Sequence, residues 1–152
     1  MNVAIINPFI TATILLFKTM IHLEVTAGKP GLKSQPYPTH DVSGIIGLSG
    51  NAQGLVALSF PKALALKIVS AFLGSEVKIM GSDVVDAIGE LANIIAGNAK
   101  QDLTEYNLSI SLPQVVVGND HVISGISGVP TIVIPMKCPL GSFAMEVSFR
   151  TV

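Results

Sequence analysis

The chain has 152 residues, the length of one domain, of which 49% are hydrophobic and only 12% charged; a domain of this size hides roughly 70% of its unfolded surface and needs no disulfide staple. Nine basic and ten acidic residues are scattered along it for a net charge of −1, which gives no electrostatic footprint for nucleic acid or an anionic membrane. So few charges require large apolar faces to be covered by sheet stacking, helix packing or self-association.

The first predicted element is a helix. Residues 1–20, MNVAIINPFITATILLFKTM, are apolar enough to suggest export or membrane insertion. No basic leader precedes the apolar run, no small-residue cleavage site follows it, and Thr11, Thr13 and Lys18 interrupt it, so a cytoplasmic core helix is expected. Asn7 suits its N-cap and Pro8 its first helical position, with Phe9, Ile10, Ile14, Phe17 and Ile21 at helical spacing.

From Leu23 the pattern turns extended. Gly28, Pro30, Gly31, Pro36 and Pro38 mark an irregular or edge segment. VSGIIGLSGNAQGLVALSF, residues 42–60, reads as two strands around a reversal at Gly50-Asn51. Pro61 opens a helix closed by Gly74. Ser82 or Asp83 caps a longer one whose pattern runs without proline to about Tyr106. Strand-like runs follow at 108–112, 115–117, 131–137 and 143–150. The last alternates Phe143, Met145, Val147 and Phe149 with Ala144, Glu146, Ser148 and Arg150, the period of a strand with one covered face. Cys138, the single cysteine, reads as a small buried hydrophobe. His22, His40 and His121 lie far apart, with no spacing that suggests zinc or a triad. SGISGVP, residues 124–130, reads as a loop.

The element order predicts an α+β fold: an antiparallel-rich sheet with two principal helices packed on one face, the repeated helix-plus-hairpin suggesting duplicated halves. Residues 1–152 are expected to form a single domain.

On the long helix, Asp86, Glu90, Asn93, Gly97 and Lys100 fall in one sector roughly 80° wide. Val84, Ile88, Leu91, Ile95 and Ala99 gather opposite, with Ala92 and Ala96 alongside, as the face to bury on a sheet. Exposed helix faces carry acids and amides for solubility alone, yet this stripe has few long charged side chains. Gly97 also costs about 1 kcal/mol relative to alanine within a helix, and a small residue there lets a partner's backbone approach closely.

DAIGELANIIAGNAK, residues 86–100, resembles the signature helix of the CheC/CheX/FliY family of chemotaxis phosphatases: an acidic or seryl residue, three positions, Glu, two positions, Asn. GIIGLSGNAQGLVALSF resembles the family's Gly-rich strand pair, and NPFITATILLFKTM the opening helix of its CheX branch. CheC-type members carry a second Glu and Asn pair on the first helix; none occurs here, so the resemblance implies one site and a CheX-like homodimer joined through its sheets. It further implies hydrolysis of the aspartyl phosphate of a CheY-type response regulator. Asn93 would orient the attacking water and Glu90 would pair with the regulator's lysine, while Asp86, Gly97 and Lys100 flank the partner-binding ridge. No cofactor is expected on this chain, since the regulator brings Mg²⁺. The alternative is a non-catalytic dimeric adaptor docking on a response regulator or flagellar component through the same ridge.

Overall fold

The computed structural model describes residues 3–34 and 40–152. Helix α1 (Val3–Leu16) runs on into a π-helical turn, Phe17–Ile21, closed by His22 in the left-handed region. It begins earlier than its capping signals suggest: Asn7 lies inside the helix and is not its cap, and Pro8 is likewise interior. Proline there forfeits one i−4 hydrogen bond, a loss offset by burial of Ile5 and Ile6 in the turn before it.

The irregular segment after Leu23 forms two short strands, β1 (Thr26–Ala27) and β2 (Gly31–Leu32). Pro36 and Pro38 lie outside the described residues. The predicted hairpin is β3 (His40–Ser49) and β4 (Ala52–Phe60). Its turn requires glycine at position 50, where φ is +127° and a Cβ would come within 2.4 Å of the Asn107 carbonyl oxygen.

Helix α2 (Lys62–Leu73) opens at Pro61 and closes at Gly74. Its Lys62 N–H donates to the Asp41 carboxylate on β3 at 2.8 Å, and this bond, with a second from the Asp120 N–H, holds the Asp41 pKa below its ordinary value. Helix α3 (Ser82–Gln101) follows from Gly81, with neither Ser82 nor Asp83 capping it by a side chain. It ends before Tyr106, because the N–H groups of Asp102 and Leu103 turn back to Ala99 and Lys100 and bury Leu103. A 3₁₀ turn, Thr104–Tyr106, leads to β5 (Ser109–Ile110), β6 (Gln114–His121), β7 (Thr131–Cys138) and β8 (Gly141–Thr151). Residues 124–130 form the predicted loop, and Cys138 is buried.

All pairings are antiparallel in one sheet of order β1-β7-β8-β4-β3-β5, with β2 also on β7 and β6 also on β3. The hairpins β3–β4 and β7–β8 meet at the centre through β4 and β8. Each half lends its leading strands to the other's hairpin, β1 and β2 to β7 and β6 to β3, the arrangement expected of duplicated helix-plus-hairpin units. Helices α1 and α3 pack on each other and α2 packs beside α3, so the two principal helices have a smaller third companion. α3 lies against β3 at Gly44, where a Cβ would sit 3.0 Å from the Ile88 carbonyl oxygen and 3.1 Å from the Ala92 Cβ. Glycine thus sets how deeply the helix sits on the sheet.

Strand β8 departs from expectation. Both its faces are covered along most of its length, and Glu146 is only 2% exposed, with Ser148 fully buried. The reason is its central place in the sheet and the polar partners that reach the side away from the helices. Lys33 Nζ donates to Glu146 Oε1 at 2.7 Å and to the Ile123 carbonyl at 2.5 Å. Thr131 and Ser148 hydroxyls pair at 2.8 Å. The histidines are also not all apart: His40 and His121 are cross-strand partners, and His121 bonds Ser43, which bonds Ser59, each at 2.7 Å.

Burial holds the His40 pKa below 6.5; Glu146 opposes this, His121 and Lys33 add to it, and Asp41 opposes it. The unfolded chain therefore takes up a proton that the fold resists. His40 costs nothing above the unfolded value of 6.5, and stability falls as pH drops from there through the lower folded value. Thermal melts between about pH 7.5 and about pH 5.5 should show Tm decreasing with acid, and His40→Gln should flatten the slope.

Candidate functional site

α3 is held from three sides, by α1, α2 and the sheet. Val84, Ala87, Ile88, Leu91, Ala92, Ile95, Ala96 and Ala99 are buried, as the helical period requires. Asp86, Glu90, Asn93 and Lys100 are exposed and Gly97 is half-buried, so the predicted ridge stands clear of the core. A Cβ at Gly97 would meet nothing within 4 Å, leaving that point open to close approach. Lys100, in the last turn, complements the negative end of the helix dipole.

The ridge borders two depressions. Asp86, Glu90 and Asn93 share a groove of about 380 Å³ with Val85 and Gly89, opposite Pro113 and Val115 where β6 begins. Gly97 and Lys100 belong to a neighbouring cleft of about 590 Å³, with Leu103, Thr104, Asn107, Leu108 and Ile110 among its lining. The five ridge residues thus divide: three gather at the groove, two border the next cleft. Helix periodicity could not place the opposite wall, since Pro113 and Val115 arrive through the pairing of β6 with β3.

Neither Glu90 nor Asn93 takes part in a side-chain hydrogen bond or ion pair with another described residue. Chemically, the carboxamide offers a donor and an acceptor in one plane, and the ionised carboxylate offers only acceptors, suited to a cation. Asp86 and Glu90, four residues apart on one face, repel by a few tenths of a kcal/mol, which a basic partner would relieve.

The chain matches the family model for the chemotaxis phosphatase CheX over residues 42–137. It is 30% identical over 149 residues to the CheY-P phosphatase CheX of Thermotoga maritima, spanning 96% of this chain and 92% of that protein. The crystal structure of a CheC-like superfamily protein from Shewanella sp. PV-4 superposes with a TM-score of 0.91 at 34% identity, covering 99% of both chains. CheX in the CheX–CheY–BeF3–Mg²⁺ complex of Borrelia burgdorferi superposes with a TM-score of 0.82 at 28% identity, covering 95% of this chain and 97% of that one.

Proposed function

Since this chain belongs to the CheX family of chemotaxis phosphatases, we propose that its activity, removal of the phosphoryl group from a CheY-type response regulator, is carried by two side chains of α3. Asn93 orients the water that attacks the aspartyl phosphate, and Glu90 pairs with a lysine of the regulator to fix the helix over the reacting group. The observation that carries this reading is the pair itself: exposed, one turn apart, engaged by no other described residue, and set on the rim of one groove.

The chemistry asks for little more. Phosphoryl transfer proceeds through a loose transition state and depends on an in-line nucleophile and on charge stabilisation. The regulator brings Mg²⁺, which neutralises charge on the phosphoryl oxygens; Mg²⁺ is a component of the Borrelia complex. This chain then has to place a water, and a carboxamide on a packed helix does so with its orientation largely fixed in advance. Asp86, Gly97 and Lys100 extend the contact along the ridge.

Incubation with a phosphorylated CheY-type regulator should give phosphate release well above the regulator's own rate. Release at the regulator's own rate would leave a non-catalytic adaptor. Glu90→Ala should raise KM about tenfold or more, corresponding to the roughly 1.5–3 kcal/mol of a charged hydrogen bond, with kcat little changed. An unchanged KM would remove the lysine-pairing role.

The reading includes one domain, a cytoplasmic location and a homodimer formed through the sheets. Ala4–Ile21 is long and apolar enough to cross a membrane, but Phe9, Leu16, Phe17 and Ile21 are buried in the core, with Phe17 stacked on Phe143 at 5.1 Å. Edge strand β6 offers the dimer a surface, with Val116 and Val117 exposed at 37% and 46%. A monomeric mass in sedimentation would exclude that assembly.

A further inference from the structure

One side chain beside the groove has no part in the roles above. Leu112 is 86% exposed, matched among the large hydrophobic side chains of the described residues only by the terminal Val152, and it directly precedes Pro113, where the groove's far wall begins. Resting on the placement of Glu90 and Asn93 above, we propose that Leu112 is a docking residue: the response regulator covers it when the acyl phosphate reaches Asn93, and the apolar surface so removed from water contributes to affinity and to the choice of regulator.

The chain around Leu112 is fixed on both sides. The Ser111 N–H donates to the Gly47 carbonyl at 2.9 Å, and the Ser111 hydroxyl accepts from the Gly47 N–H at 2.8 Å and donates to the Leu112 carbonyl at 2.9 Å. Pro113 in turn confines the backbone of the residue before it to extended conformations. A leucine on a slack loop could fold back onto nearby apolar surface. This one is held out, so little backbone entropy is left to lose when a partner covers it.

Position identifies the partner. Glu90 and Asn93 share their groove with Pro113 and Val115, so a molecule that engages both side chains spans the groove to that wall. Even a small transient interface covers about 500 Å² on each partner, a patch about 25 Å across, and Leu112 lies one residue, about 3.8 Å between Cα atoms, from the wall. It falls within the footprint. A lone exposed leucine is ordinary on a protein surface, but one fixed inside the footprint of a reaction partner gives up its water each time the two meet, with a gain in proportion to the area buried.

Leu112→Ala should fold with a Tm within about 2 °C of the wild type, since the side chain it shortens stands in solvent, and should keep kcat within about twofold. KM for the phosphorylated regulator, and Kd for the same regulator carrying beryllofluoride, should both rise about fivefold or more. Leu112→Gln, similar in length but polar, should do the same, whereas Leu112→Met should bind within about twofold of the wild type. An unchanged Kd in the alanine and glutamine variants overturns the proposal, as does an equal loss in the methionine variant, which would make shape and not apolar area the cause. A changed sedimentation mass of free Leu112→Ala at unchanged Kd also overturns it, by making a second copy of the chain what covers the leucine. The two readings fail separately. If Asn93→Ala keeps its kcat while Leu112→Ala binds weakly, the water-placing role falls and the docking residue stands; undiminished binding by the Leu112 variants beside a kcat loss at Asn93 does the reverse.

Discussion

Replacing Asn93 by alanine should lower kcat for phosphate release roughly 10²–10³-fold, the range typical of deleting one fixed hydrogen-bonding group that acts in the transition state. KM should move by less than about threefold, because the amide contributes to the water's position and little to the resting complex. The argument rests on α3 being clamped by α1, α2 and the sheet, so truncating an exposed side chain leaves the ridge where it is. Tm should accordingly stay within about 2 °C of the wild type, since surface substitutions on a helix change stability by only a few tenths of a kcal/mol. Single-turnover measurement with the phosphorylated regulator separates this from a docking role: equal, small losses in kcat and in affinity would remove Asn93 from the chemistry.

The largest effect on stability is expected from Lys33→Ala. Lys33 and Glu146 are 7% and 3% exposed at their side chains and 2.7 Å apart, and His40, whose burial disfavours its charged form, is 3.8 Å from the other carboxylate oxygen. Removing the lysine leaves a buried carboxylate without its counter-ion, a change that costs about 3–5 kcal/mol where it has been measured in buried pairs. For a chain of this length the loss corresponds to a fall in Tm of about 8–15 °C. The double replacement Lys33→Met with Glu146→Leu should recover most of it, because taking both charges away also removes the desolvation penalty. A fall in Tm of under about 2 °C for the single variant would show that water reaches Glu146 and that the pair is screened.

The sequence made α3 legible almost residue by residue, because a helix on a sheet writes its burial at a fixed angular period and this ridge carries one polar stripe. The β3–β4 hairpin was equally open, since glycine at position 50 marks a reversal by backbone need alone. The β8 environment was not. Ala144, Glu146, Ser148 and Arg150 alternate with hydrophobic residues as a solvated face does, and what buries Glu146 is Lys33, which only the completed sheet brings near. The groove wall escaped for the same reason: Pro113 and Val115 carry no local signal of facing a helix. At α1 the capping residues misled, because tertiary burial of Ile5 and Ile6 outweighed a good local start signal at Asn7 and Pro8.

The reciprocal loan of strands between the two halves bears on how the molecule is made. While a ribosome has delivered only the first hairpin, the outer side of β3 has no neighbour, for its companion β6 is encoded some fifty residues beyond the end of β4. Neither half can close its hydrogen-bond ladder in advance of the other, so acquisition of structure must await nearly the entire polypeptide and proceed in a single cooperative, comparatively slow step. A nascent chain halted near Phe60 would present bare ladder groups along the Val42–Leu48 stretch, the kind of edge that chaperones shield and that clumps when they do not.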